Sequence, residues 1–321
     1  MSLFFNAPPT FISGLALASW DGVGAEFLLV GGGGTGSTGV GGGGGGAGGM
    51  VVGSNQTLLT NTTYSIVIGA GGDDGNTGTE ENGENSTFSF NTLVATGGGR
   101  GVQNSHGQSG GSGAGGTSGY NIGNKSGGSS TQATYSGLNN ITGYGNSGGT
   151  GPQYATNSGY FGGGGGGAAG SGGSGSSGSR RGGLGGAGRQ WLVDGQYYAG
   201  GGGGSAYIGN SDSGTVAANS GDGGIGGGGN GATRNSNTPS ISATAGTPNT
   251  GGGGGGRHGV GTGGGSGVFK IWVPVVDYTN YVVGSELTEG ASQQVTYGGI
   301  DGTLITITAS SGTTTNTIMF R

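Results

Sequence analysis

Apolar residues come in short bursts along this chain, separated by long stretches with no side-chain pattern at all. "AEFLLV" (Ala25 to Val30) is a continuous apolar run of strand length that leads straight into glycine, and it predicts a short buried strand. Further on, Tyr64, Ile66 and Ile68 alternate with Ser65 and Val67, the period-2 pattern of a strand. "STFSF" (Ser86 to Phe90) and "TLVATGGG" (Thr92 to Gly99) predict a hairpin turning at Asn91, and "SGVFKIWVP" (Ser266 to Pro274) a strand stopped by its proline. Residues 275–321 have ordinary β composition. In "TLITITA", Ile305 and Ile307 point one way and Thr306 and Thr308 the other.

Between these strands the pattern vanishes. Glycine runs recur at 31–34, 41–46, 162–167, 200–204, 226–229 and 251–256, at irregular spacing that excludes a solenoid of fixed period. Of the 96 glycines, 87 fall in residues 31–267. Collagen is excluded, because the strict three-residue period is missing and the chain has only 6 prolines.

A glycine run is either a slack tether or a packing element whose surface is the backbone itself. Ordering glycine costs roughly 0.5–1 kcal/mol per residue beyond alanine, so an ordered run needs something only glycine provides. In an extended threefold helix every N–H and C=O points outward, free to bond a neighbouring run; six residues would span roughly 19 Å. The recurrence of runs, the interleaved Tyr and Phe, and the strands at both ends (Ala25 to Val30, Val268 to Val273) favour packing over a tether. The fold class expected is mainly β with packed polyglycine-II-type helices. It divides into a short N-terminal segment (1–24), a glycine-rich β platform plus lattice (25–274) and a small C-terminal β region (275–321).

Charge narrows the function. Only 7% of residues are charged and the net charge is −5, with nine Lys and Arg spread along the chain. Nucleic-acid binding needs clustered cations, which predicts no nucleic acid as partner. Without cysteine there is neither a disulfide nor a thiolate metal site. No apolar run approaches the roughly 20 residues of a membrane span, so no membrane insertion is expected. "FISGLALAS" (Phe11 to Ser19) imitates a signal peptide but lacks the positive flank, and is read as an unprocessed segment.

Candidate chemistry is thin. "GQSGG" (Gly107 to Gly111) fits a nucleophile elbow, but no strand precedes it and no helix follows. Asp73, Asp74, Glu80, Glu81 and Glu84 crowd one acidic stretch without the EF-hand spacing, and read as a solvated turn. His106 and His258 stand alone, and Asp194 and Asp212 have no companion motif for glycoside hydrolysis. No catalytic, cofactor or metal site is assigned. Tyrosine is more informative: eight of the 12 lie between residues 120 and 207, among Ser, Gly and Asn. Such rings suit recognition loops, or they cap the lattice edges and fill oligomer seams. Tyr120, Tyr135, Tyr144, Tyr154 and Tyr160 are the candidate receptor contacts, toward glycans or other uncharged surface groups.

"AEFLLVGGGG", "GGGGAGGMVVG", "YSIVIGAGG", "GENSTFSF", "ATGGGRG" and "GGGSGVFKIWVP" occur in that order. Together they resemble the glycine-rich domain common in bacteriophage tail fibres, with similar blocks in tail-tip adhesins and some large secreted bacterial proteins. The resemblance implies a β platform leading into packed polyglycine helices, in virion proteins that are often trimeric and touch the host surface. The expectation is therefore a non-enzymatic virion protein, a tail fibre or receptor-binding adhesin, forming a homotrimer. It would attach to other virion proteins through residues 1–24 and meet a host-surface glycan or receptor. The alternatives are a head fibre or capsid decoration protein, and a secreted cell-wall or matrix protein.

Overall fold

The structure is a computed structural model that describes residues 22–73, 79–154, 159–209, 219–235, 238–259, 262–311 and 315–321. Residues 1–21, which make up nearly all of the expected attachment segment, lie outside the described residues, as do Asp74 and Asp212.

A seven-stranded sheet runs in the order Leu287–Glu289, Ile300–Ser310, Val268–Pro274, Gly22–Val30, Met50–Leu59, Ile141–Tyr144, and Gln293–Tyr297 also pairs with Ile300–Ser310. The two strands that bracket the glycine-rich stretch are direct antiparallel partners, with Val30 opposite Val268 and Glu26 opposite Trp272. A five-stranded sheet orders Tyr281–Val283, Thr317–Phe320, Tyr64–Val67, Ser86–Phe88, Leu93–Ala95. The predicted hairpin is present: Phe88 pairs with Leu93 across a short 3-10 turn in which Asn91 takes φ 52°, a left-handed conformation that asparagine tolerates.

Successive side chains of a strand point to opposite faces, and in Gly22–Val30 both faces are buried. Phe27 and Leu29 join Phe269, Ile271, Ile305 and Ile307 against Ile66, Phe88, Ile318 and Phe320 of the second sheet. The rings of Phe88 and Phe269 lie 4.8 Å apart, and those of Phe27 and Phe88 meet edge-on at 5.5 Å. Leu28, Val30, Val268, Trp272 and Leu304 form a second cluster on the opposite face with Met50, Ala168, Trp191 and Tyr198. Each such side chain contributes about 1.5–3 kcal/mol by leaving water.

The expectation of packed polyglycine-II-type helices is corrected. The described residues fold into several sheets, mostly antiparallel, with one 3-10 turn at Phe90–Thr92 and no α-helix, and none of the glycine runs is helical. The runs are segments joined to one another by backbone hydrogen bonds. In 162–167 the N–H groups of Gly162 and Gly165 donate to Ser205 and Gly202, those of Gly163 and Gly166 to Gly116 and Gly113, and those of Gly164 and Gly167 to Gly173 and Gly170. The partner changes at each residue and returns every third. The carbonyls are used in the same way, accepting from Gly183 and Gly186 at Gly162 and Gly165, and from Gly44 and Ala47 at Gly163 and Gly166. Buried amides are costly unless paired, and this cross-bonding pairs them without side chains. It also explains the composition. A Cβ on Gly163, Gly164 or Gly165 would sit within 3.0 Å of the Gly149, Leu184 or Gly45 carbonyl oxygen, closer than real Cβ atoms come.

Candidate functional site

One segment breaks the glycine pattern with large side chains, "GRQWLVDGQYY" (Gly188 to Tyr198). It forms a small hairpin, Arg189 opposite Tyr198 and Gln190 opposite Tyr197. Trp191 and Val193 bury against the outer cluster of the main sheet and anchor it, while Leu192 is 72% exposed at its tip. Asp194 fixes the hairpin to the sheet: its Oδ2 pairs with Lys270 Nζ at 2.8 Å and accepts the Tyr198 hydroxyl at 2.7 Å. Burial above all, then the hydrogen bond to Asp194 and its charge, push the Tyr198 phenol well above its ordinary pKa. Tyr198 is thus a neutral donor at any physiological pH, and Asp194 anchors the hairpin through both contacts.

Between this hairpin and the main sheet lies a groove of about 370 Å³, lined by Glu26, Val52, Ser54, Tyr144, Arg189, Gln190, Trp191, Leu192, Val193 and Tyr297. Its volume falls within the range of small-ligand sites. Arg189 stacks on the Tyr144 ring, its guanidinium carbon 4.0 Å from the centroid, and makes no side-chain hydrogen bond to any described residue. On another part of the wall is Glu26, 7% exposed, whose Oε1 accepts the Asn55 N–H at 3.0 Å. The pairing with Met50–Leu59 slips between Ala25 and Phe27, so Glu26 sits on a β-bulge, a device that re-aims a side chain. Tyr297 meets Trp272 edge-on at 5.6 Å, and the Trp272 indole N–H donates to the Val295 carbonyl, which sets that wall. The groove therefore offers aromatic surface, one fork of N–H donors and one carboxylate acceptor, with opposite charges that cancel.

The five candidate tyrosines separate. Tyr144 is a wall of this groove. Tyr135 packs on the main core and its hydroxyl both donates to the Val94 carbonyl and accepts the Val94 N–H. Tyr160 is 8% exposed and stacks on Tyr207 at 5.7 Å. Tyr120 and Tyr154 are parallel register partners in a two-stranded ladder.

The remaining motifs have structural uses. Glu80 accepts from the Thr38 N–H and hydroxyl, and Glu84 from the Ala70 N–H, so these acids cap the ends of glycine segments. No group of acids and histidines that could hold a metal occurs among the described residues. His106 bonds Ser126, and Ser109 of the elbow-like "GQSGG" accepts the Ser129 N–H. No described helix is long and apolar enough to cross a membrane. Arg189, Glu26 and Tyr297 were not singled out from the sequence. The side-chain-rich island at 188–198 was the available signal for Arg189, while nothing local marks the bulge at Glu26.

Comparison with the curated proteins and with the solved structures finds no match. A family model described as a glycine-rich domain matches residues 18–273, from just before the first strand of the main sheet to the strand that pairs with it. Over most of its length, this chain belongs to the glycine-rich domain family.

Proposed function

We propose that this chain is a non-enzymatic structural protein of a bacteriophage virion, a tail fibre or receptor-binding adhesin that meets the host surface. The observation that carries this reading is the groove of Tyr144, Arg189, Trp191, Glu26 and Tyr297, held on a main sheet and hairpin whose supports are buried. Recognition by a rigid scaffold calls for such an arrangement, with polar groups fixed in advance at the edge of a body that does not deform. The cross-bonded glycine segments supply the body, and they leave no side chains within it to perform chemistry. Because the charges of Glu26 and Arg189 cancel, the groove suits an uncharged, hydroxyl-rich partner. Glycan hydroxyls would donate to the carboxylate, accept from the guanidinium and lay a ring face on the aromatic wall. The chain acts as a homotrimer joined to other virion proteins through residues 1–24.

The test is to label phage particles with antibody raised against the purified chain, and to measure whether that chain blocks adsorption. Label at the tail with blocked adsorption is expected. Label on the capsid with adsorption unaffected would move the chain to the head-fibre class. Absence of label from every particle would overturn the virion reading.

A further inference from the structure

A second cavity, of about 300 Å³, is lined by Ala232, Thr233, Arg234, Ser240, Ile241, Ser242, Arg257 and His258. Its charge stands out against the rest of the chain. Only nine Lys and Arg occur in 321 residues, yet two of those arginines line this one space, with no acidic residue among its described lining. Neither Arg234 nor Arg257 has a side-chain hydrogen bond or ion pair to a described residue, whereas Arg181 pairs with Asp222 and Lys270 with Asp194. Two guanidiniums that line one cavity without a carboxylate among its described lining are stabilised by an anion taken up between them.

The supports are fixed. Arg234 lies on Thr233–Asn235, which pairs with Ala206–Ile208 and places Arg234 beside Tyr207. Arg257 and His258 directly follow the glycine run 251–256, whose backbone is cross-bonded; the Arg257 N–H donates to the Ser37 carbonyl. The His258 ring is 5.4 Å from the Tyr207 ring, its Nε2 faces the Ala206 carbonyl at 3.4 Å, and its Nδ1 is buried without a partner. With Nε2–H turned to the Ala206 carbonyl, the neutral ring leaves Nδ1 as an unmet acceptor, which a hydroxyl of a protonated oxyanion or of its carrier would satisfy. The hydroxyls of Ser240 and Ser242 add neutral donors.

We propose that this cavity binds a tetrahedral or carboxylate oxyanion, presented as a phosphate, sulfate or acidic substituent on a polysaccharide. A nucleic acid is a poor fit, since a chain of net charge −5 offers no cationic track beyond this one cavity. The anion site does not depend on the virion reading, while its assignment to a polysaccharide rests on that reading; the described lining shares no residue with the groove around Tyr144.

The experiment is calorimetric titration of the full chain with inorganic phosphate, inorganic sulfate, a phosphorylated oligosaccharide and its neutral counterpart. Binding of the phosphorylated sugar and of inorganic phosphate is expected, with none of the neutral sugar at this site. Arg234→Gln and Arg257→Gln should each weaken it roughly tenfold or more, while Lys125→Gln, which removes one charge elsewhere, leaves it unchanged. Melting each variant with and without phosphate gives a second readout, because a bound anion raises the melting temperature of a folded chain. Absence of binding by every anion, or binding that survives both Arg substitutions, would overturn the proposal. Binding of inorganic phosphate without the phosphorylated sugar would overturn its assignment to a polysaccharide.

Discussion

Replacing Gly165 by alanine adds one methyl group to the middle of a glycine run. Its φ lies outside the left-handed region, so alanine is compatible with its backbone and any cost comes from the surroundings. The new Cβ would overlap the Gly45 carbonyl and come within 3.0 Å of the Gly46 nitrogen, all backbone that cannot swing aside. Relief requires the two segments to part. The bonds at risk are Gly202 N–H to the Gly45 carbonyl at 2.9 Å and Gly165 N–H to the Gly202 carbonyl at 2.8 Å. A buried amide left unpaired costs about 1–3 kcal/mol, so two lost bonds cost about 2–6 kcal/mol. Against this stands about 0.4–1 kcal/mol gained by restricting the unfolded chain. The net loss is about 1–5.6 kcal/mol, or a fall of roughly 2–10 °C in melting temperature for a chain of this size. Gly137 is the control: a Cβ there meets nothing within 4 Å and its φ is likewise permissive, so Gly137→Ala should be neutral or slightly stabilising. Differential scanning calorimetry of the two variants decides the matter, and equal melting temperatures would refute the packing argument.

Asp194→Ala strands Lys270 without its carboxylate and removes the acceptor of the Tyr198 hydroxyl; it should cost about 3 kcal/mol and expose Trp191, read by denaturant titration and indole fluorescence. Arg189→Gln, at an exposed position, should weaken neutral-glycan binding while leaving the melting temperature within a degree or two, whereas Tyr135→Phe should cost about 1–3 kcal/mol and leave glycan binding intact. Burial first, and the Arg234 charge, lower the His258 pKa below its ordinary value near 6.5, opposed by the Ala206 carbonyl. The folded state resists protonation, so this contribution is full above about pH 6.5 and is lost as pH falls through the lowered folded value. His258→Asn should therefore melt with a shallower decline between pH 7 and 5 than the parent chain, and identical slopes would count against it.

Local pattern was enough to place the strands at Ala25 to Val30, Tyr64 to Val67 and Val268 to Pro274, and the turn at Asn91, because burial and turn chemistry act over a few residues. Pairing across the chain left no such trace. Ile300–Ser310 adds to the sheet beside Val268–Pro274, and Thr317–Phe320 pairs with Tyr64–Val67 some 250 residues earlier, so strands that follow Pro274 enter both sheets. The glycine runs carry no side-chain signal to tell one backbone geometry from another, and there the helical expectation failed. At the candidate site, Tyr144 was visible as one of a group of tyrosines. Composition does not reveal which rings face inward: Tyr135 packs on the main core and Tyr160 stacks on Tyr207. Glu26 joins the groove through a bulge, and Tyr297 through a strand some 150 residues away in sequence from Tyr144's own.

The central claim is that the glycine runs are ordered by cross-bonding between segments, and native-state amide hydrogen exchange reads it amide by amide. The N–H groups of Gly162 to Gly167 all donate to carbonyls, as do those of Gly251 and of Gly253 to Gly256, while that of Gly252 donates to the Thr250 hydroxyl. The account predicts strong protection through both runs, with Gly252 the weakest point, comparable elsewhere to the strand Gly22–Val30. Exchange at random-coil rates in Gly162 to Gly167, with protection retained in Gly22–Val30, would contradict it.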